Sequence, residues 1–168
     1  MSAMVLGIVV FASMLIETSI STRHDRELRA RGAVEPAGDV YFPMQFAYPA
    51  AFLLMLGEGA WRGLSLDARL WTGAALFAAA KALKYWAIAT LGVRWTFRVL
   101  VPPRSARIRT GPYRWLRHPN YVAVAGELVG VAVAAGALVT GPVATLGFIA
   151  LMAARVRVEE RALGLQRG

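Results

Sequence analysis

The sequence predicts an all-α, polytopic membrane bundle of about five transmembrane helices, and its composition is the first reason. Of its 168 residues, 57% are hydrophobic and 17% are charged, and the mean hydropathy is +0.49. Soluble proteins have about 45–50% apolar and about 25% charged residues, and a small fold leaves much of its chain at the surface. So much apolar surface excludes an ordinary soluble domain, and it excludes intrinsic disorder as well.

Apolar runs are the second reason, and they give the predicted helices in chain order. The runs cover residues 4–20, 43–56, 70–91, 121–139 and 143–152. A helix needs about 20 apolar residues to cross the bilayer core, with a usable range of about 17–25. The first, third and fourth runs meet this length, and the fifth is expected to continue into the polar tail.

The placement of basic residues is the third reason, and it predicts the orientation. Fifteen arginines lie in residues 21–42, 92–120 and 155–168, whereas residues 57–69 contain two. The positive-inside rule then places the N-terminus outside and the C-terminus in the cytoplasm, in a bacterial inner membrane. The net charge of +9 accordingly indicates contact with membrane lipid and not with nucleic acid. The short turn at residues 136–142 predicts an antiparallel hairpin of the last two helices.

The densest polar segment, residues 104–121, is predicted to be a structured loop. Gly111-Pro112 favours a turn, and Pro119 restricts His118 to an extended conformation. Arginine, histidine, asparagine and tyrosine together suit a nucleotide-like ligand that carries a carboxylate or phosphate. A basic segment that binds anionic lipid is the alternative interpretation. No metal site is predicted, because the chain has no cysteine and only two histidines.

Residues 111–121, Gly-Pro-Tyr-Arg-Trp-Leu-Arg-His-Pro-Asn-Tyr, resemble the signature of the isoprenylcysteine carboxyl methyltransferase family. Its members are small polytopic enzymes that use S-adenosylmethionine (SAM) at a cytosolic membrane face. Glu159-Glu160 resembles the family's second signature, and the resemblance covers roughly residues 70–163. It implies a SAM pocket between the hairpin and the preceding loop. The residues that it assigns to this pocket are Tyr113, Arg117, His118, Tyr121, Glu159 and Glu160.

The two glutamates have a second interpretation from spacing alone. Arg155 lies four residues before Glu159, and Arg157 lies three residues before Glu160. Such pairs commonly form weak ion pairs on the exposed face of a helix. The matching loop favours a binding site over this amphipathic tail.

Charged residues inside the predicted spans are costly, at about 2.5–3.5 kcal/mol each on insertion scales. Lys81 and Lys84 lie three residues apart on one face of the third run, and Lys84 is expected to snorkel towards the cytosolic end. Glu17, Glu58 and Glu127 are the available counter-charges. Both structural ion pairing and catalysis remain open for this set.

Methylation of a hydroxyl with a pKa of about 10 benefits from a base or from a cation that stabilises the oxyanion. The sequence predicts His118 or Glu127 as the base and Lys84 as the cation. Structural ion pairing is the alternative role for Glu127.

The expected acceptor is a lipophilic small molecule that enters from the bilayer. Short bacterial-type relatives resemble methyltransferases of phenolic or pyrone lipids. Longer members continue past the glutamate pair with a tail that helps form the prenylcysteine site, so a prenylcysteine carboxylate is the less expected acceptor here. Two other functions stay open. The Arg-His-Pro-Asn-Tyr segment also resembles NADPH-dependent membrane lipid reductases, and a non-enzymatic membrane protein could bind anionic lipid through the same loops.

Overall fold

The computed structural model describes residues 3–63, 68–103, 108–162 and 164, and it contains five α-helices. The helices are α1 (Ala3–Ala30), α2 (Tyr41–Trp61), α3 (Ala68–Leu91), α4 (Pro119–Ala135) and α5 (Thr140–Ala162). The predicted all-α helical bundle is confirmed. Part of the polar segment singled out above, residues 104–107, lies outside the described residues.

Three of the helical segments are long and apolar enough to cross a membrane. They are Met4–Ala30, Ala68–Arg94 and Thr140–Arg161, with 27, 27 and 22 residues. Helix α4 is apolar but has only 17 residues, and α2 contains an internal proline, Pro49. The chain is an integral membrane protein, while membrane crossing by α2 and α4 stays a prediction.

Helix α1 runs past its predicted apolar span, to Ala30 instead of residue 20, whereas α5 continues into the polar tail to Ala162, as expected. Hydropathy marks the apolar part of a helix and not its end, so this difference is expected wherever nothing breaks the helix. Helix α1 ends just before Gly32, which adopts the left-handed conformation with φ of 80°. The predicted end of the fourth span at residue 139 is also wrong. Helix α4 ends at Ala135, because Gly136, with φ of 64°, caps it.

Helices α4 and α5 form the predicted hairpin, and Glu58 of α2 holds the turn between them. The Glu58 carboxylate accepts hydrogen bonds from the backbone N–H of Val139 at 3.2 Å and of Thr140 at 2.7 Å. The Thr140 hydroxyl donates to it at 2.7 Å, and Arg62 pairs with it at 2.8 Å. Unpaired N–H groups at a helix start need such acceptors. Glu58 is therefore not a counter-charge for the lysines of α3, contrary to that expectation.

Helices α3 and α4 approach closely because glycines face each other. A Cβ atom at Gly73 would lie 2.2 Å from the Ala134 nitrogen, and one at Gly130 would lie 2.6 Å from the Phe77 nitrogen. No side chain fits at such distances, so the two backbones pack directly. This contact fixes the face of α3 that carries its lysines against α4.

The connection from α3 to α4 is held against the loop between α1 and α2. After a 3₁₀ turn at Gly92–Arg94, Val101 forms an isolated antiparallel bridge with Val34. The Val99 N–H donates to Asp39 Oδ2 at 2.8 Å. These contacts place the connection across the end of the bundle, where it forms one wall of a cavity.

Candidate functional site

The end of the bundle where α4 begins and α5 ends contains a cavity of about 170 Å³, which we call the first cavity. Its walls are the connection after α3, the loop before α4 and the last turns of α5. The residues that the resemblance assigns to a cofactor all line it: Tyr113, Arg117, His118, Tyr121, Glu159 and Glu160. Residues far apart in the chain are thus brought to one place.

The loop before α4 folds as its glycine and prolines predict. Gly111 has φ of 55°, and a Cβ atom there would lie 2.3 Å from Thr90 Oγ1, so glycine is required. Pro112 is buried in the 3₁₀ turn that follows. His118 stays outside the helix with φ of −136°, and Pro119 starts α4. This geometry holds the loop side chains beside α5.

The start of α4 and the end of α5 touch through polar side chains. The Tyr121 hydroxyl donates to Glu159 Oε2 at 2.9 Å, and His118 Nε2 lies 3.4 Å from Glu160 Oε1. The rings of His118 and Tyr121 are 5.5 Å apart, centroid to centroid. The two signatures therefore form one continuous wall.

Arg155 has different partners from those that helix spacing predicts. Its Nη1 lies 3.3 Å from Asp39 Oδ1, and its Nε donates to the Tyr121 hydroxyl at 3.0 Å. The ion pair with Glu159 that the spacing indicates is wrong, because the buried Asp39 carboxylate is the nearer acceptor. Sequence reasoning missed both Arg155 and Asp39 as parts of the site. The spacing of Arg155 from Glu159 places them on one helix face, but no sequence signal pointed to Asp39.

The first cavity offers both donors and acceptors. Burial, followed by the nearby charge of Glu159, raises the pKa of the Tyr113 phenol above its ordinary value of 10. Tyr113 is therefore a neutral donor at physiological pH. Arg94, Arg98 and Arg117 also line the cavity. A ligand that carries both an ammonium and a carboxylate matches this combination of carboxylates and guanidinium groups.

A second cavity of about 270 Å³ lies between the helices, next to the first. The two cavities share four lining residues, which we call the shared wall: Thr96, Asn120, Tyr121 and Arg155. The apolar lining of the second cavity includes Met14, Met44, Pro49, Val124, Phe148 and Met152. Thr18 of α1 and Gln45 of α2 also line it and are exposed, so the cavity reaches the surface between these helices.

Four charged side chains form a buried charge network beside the second cavity: Glu17, Lys81, Lys84 and Glu127. Lys81 Nζ lies 2.5 Å from Glu17 and 3.0 Å from Glu127. Lys84 Nζ lies 2.7 Å and 3.2 Å from the same two carboxylates. Tyr48 donates a short hydrogen bond to Glu127. The positive and negative charges therefore balance, which reduces the cost of burying them.

The predicted catalytic residues do not share one cavity. His118 lines the first cavity and Lys84 lines the second, while Glu127 lies behind Tyr48 and lines neither. Lys84 is only 2% exposed. The expectation that Lys84 snorkels is wrong, because Glu17 provides a buried partner for its ammonium.

Comparison with known proteins gives a family match over the region that builds the site. The family described as "Isoprenylcysteine carboxyl methyltransferase (ICMT) family" matches residues 73–165, more than half of the chain. The uncharacterized protein YpbQ of Bacillus subtilis is 26% identical, with 92% of each chain covered. An uncharacterized protein of Haemophilus influenzae is also 26% identical, over 92% of this chain and 90% of its own. No solved structure shows a significant match.

The matched region contains most of α3, the loop before α4 and the helical hairpin, and it includes both signatures and the first cavity. The chain therefore belongs to the isoprenylcysteine carboxyl methyltransferase family of membrane methyltransferases.

Proposed function

We propose that this protein is a SAM-dependent O-methyltransferase whose acceptor is a lipophilic small molecule from the bilayer. The observation that carries the proposal is the shared wall between a cavity lined by arginines and carboxylates and a cavity that combines an apolar lining with part of the buried charge network. A methyl donor in the first cavity and a lipid in the second would meet across this wall. Alignment of the two reactants is the main requirement of a direct displacement.

The first cavity has groups suited to each part of SAM, which supplies an activated methyl group when bound. Glu159 and Glu160 would accept hydrogen bonds from the ammonium or the ribose hydroxyls. Arg117 would donate to the carboxylate. Tyr113 and Tyr121 offer aromatic faces to the adenine or the sulfonium.

The second cavity supports an acceptor with an alkyl chain. The chain would leave through the opening between α1 and α2, while the polar head lies between the shared wall and the buried charge network. A phenolic or pyrone lipid hydroxyl suits this arrangement better than a prenylcysteine carboxylate. The reason is that a network with balanced charges offers no net attraction to an anion.

Proton removal from the acceptor hydroxyl needs a base within reach of the reacting oxygen. His118 is the best placed of the candidates, because its ring lies next to Tyr121 of the shared wall and its Nε2 contacts Glu160, which would orient the ring. Glu127 would act only through the Tyr48 hydroxyl that it binds. Lys84, between two carboxylates, is better suited to donate a hydrogen bond than to act as a free cation.

The test is ligand binding and methyl transfer with detergent-solubilised protein. SAM and its demethylated product should bind at micromolar concentrations, and labelled methyl should pass to an added phenolic lipid. His118→Ala should abolish turnover, and Glu127→Gln should reduce it, with membrane insertion intact in both. Full activity in both variants would dismiss these residues as bases. Tight NADPH binding would favour a lipid reductase, and competition by anionic headgroups alone would favour a non-enzymatic lipid-binding protein.

We also infer that the first cavity faces the cytoplasm of an inner membrane, as the arginine distribution indicates. Because the chain has no cysteine, single cysteines give a direct test. An impermeant maleimide should label Leu138→Cys on intact cells, and Val34→Cys only after lysis. The reverse pattern would invert the orientation. Both positions are exposed.

A further inference from the structure

The buried charge network is more than a structural device, because part of it forms the inner end of the second cavity. We propose that Lys84, Glu17 and Tyr48 bind a second, uncharged polar group of the acceptor, such as a hydroxyl or a carbonyl. This inference rests on the proposed function and adds a binding subsite to it. The three side chains all line the second cavity, whereas Lys81 and Glu127 do not.

Hydrogen-bonding capacity remains at this inner end. Lys84 Nζ carries three hydrogens, so its two carboxylate partners leave it able to donate again. Glu17 Oε2 contacts Lys84 Nζ at 2.7 Å, and a carboxylate oxygen has two lone pairs, so it can accept a further hydrogen bond. The Tyr48 oxygen donates to Glu127 and can still accept. A small group in the cavity would thus find both a donor and an acceptor.

The depth of the cavity sets where this second group lies on the acceptor. Glu127, the partner of Tyr48, is six residues past Tyr121 on α4. At about 1.5 Å per residue the separation along the helix is about 9 Å. A flat ring can span most of such a gap. The methylated oxygen would then lie at the shared wall, and the second polar group would be at another position of the ring that faces the inner end.

The charge balance decides the class of that group. Two ammonium groups and two carboxylates, all 10% exposed or less, leave no net charge at the inner end. An added carboxylate would meet Glu17, and an added ammonium would meet Lys84, in a region where charges are poorly screened. An uncharged hydroxyl avoids both repulsions, because it can donate to Glu17 and accept from Lys84.

The experiment compares two acceptors and two variants. The acceptors are an alkylresorcinol and the alkylphenol that lacks its second hydroxyl, with the same alkyl chain. The variants are Lys84→Met and Lys81→Met, which each remove one ammonium from the same two carboxylates. Only Lys84 lines the cavity. For each combination of variant and acceptor, the acceptor KM is measured at saturating SAM and the acceptor Kd is measured by calorimetry without SAM.

The native protein should prefer the resorcinol by roughly tenfold, the worth of a hydrogen bond to a charged group. Lys84→Met should lose this preference, and Lys81→Met should keep it. Equal effects of the two variants would overturn the subsite and leave the network a structural one. Should Lys84→Met fail to fold, Tyr48→Phe decides the point, because it retains all four charges. An unchanged preference in Tyr48→Phe would then overturn the subsite.

The wild-type protein separates this inference from the proposed function on which it rests. Methyl transfer to both lipids without discrimination would overturn the subsite alone. No transfer to either lipid would overturn the proposed function and the subsite with it.

Discussion

The two cavities differ in how the chain builds them. The first is made from three compact segments: the connection after α3, the loop before α4 with the start of that helix, and the last turns of α5. Side chains of the last two segments contact each other directly. The second draws single residues from helices along the whole chain, from Met14 of α1 to Met152 of α5. A site made from contiguous segments can be recognised from a sequence motif, and a site made from scattered helix faces cannot.

The difference extends to their electrostatics. The first cavity combines partly exposed carboxylates with several arginines, and the side chains of Glu159 and Glu160 are 33% and 23% exposed. Beside the second cavity, both glutamates of the charge network are at most 1% exposed and each contacts two lysines. The first cavity therefore suits a charged, water-soluble ligand, and the second suits an uncharged ligand that has both apolar and polar parts.

The largest expected effect is a loss of SAM binding that leaves acceptor binding unchanged. The double variant Glu159→Gln with Glu160→Gln should raise the Kd for SAM by roughly a hundredfold, because two charge-assisted hydrogen bonds are weakened. The acceptor Kd, measured without SAM, should stay the same. Calorimetry in detergent measures both constants.

Glu27→Gln is the matched control for this double variant, since Glu27 is an exposed glutamate of α1 that lines neither cavity. It should leave both constants unchanged. If the double variant weakened acceptor binding as much as SAM binding, the two cavities would not be separate sites.

Much of the fold and of the first cavity was predictable, for identifiable reasons. Apolar runs located all five helices, since the helices of a membrane bundle are rich in apolar residues, and Gly111-Pro112 and Pro119 determined the conformation of the loop. The short turn predicted the hairpin, which brings His118 beside Glu160. Helix ends were less predictable, because apolar character stops before the helix does in α1 and continues past the end of the helix in α4.

The second cavity was not predictable from sequence. Lys84 and Glu127 stood out as charges in apolar runs, but their grouping with Tyr48 depends on how three helices pack. Packing also gave Arg155 an unexpected partner in Asp39, 116 residues away in the chain. Contacts of this range carry no local pattern, so only the folded structure reveals them.

A smaller effect is expected from filling the second cavity. Met14→Trp places a larger side chain on its wall and should raise the acceptor KM by roughly tenfold, the effect of overpacking by about 1–3 kcal/mol. The Kd for SAM should not change. Met4→Trp on the same helix is the control, because Met4 is 70% exposed and outside the cavity. Equal KM values for the two variants would show that the acceptor binds elsewhere.

The smallest expected effect concerns the shared wall, whose residues line both cavities and should therefore influence the binding of both ligands. Arg155 donates to the Tyr121 hydroxyl, which donates to Glu159. Arg155→Gln and Tyr121→Phe each interrupt this series of contacts, so their effects on the Kd for SAM should not add. A coupling of about 1 kcal/mol is expected in a double-mutant cycle, because contacting residues in one network act together.

Arg157→Gln combined with Tyr121→Phe is the control cycle, since Arg157 is exposed and lies two residues along α5. Its effects should add. Additive effects for Arg155 as well would mean that it does not act through Tyr121. Coupling in the acceptor KM as well as in the Kd for SAM would show that the wall responds to both ligands. The contacts of Tyr121 lead to that expectation, because this phenol of α4 lines both cavities and is hydrogen-bonded to two residues of α5.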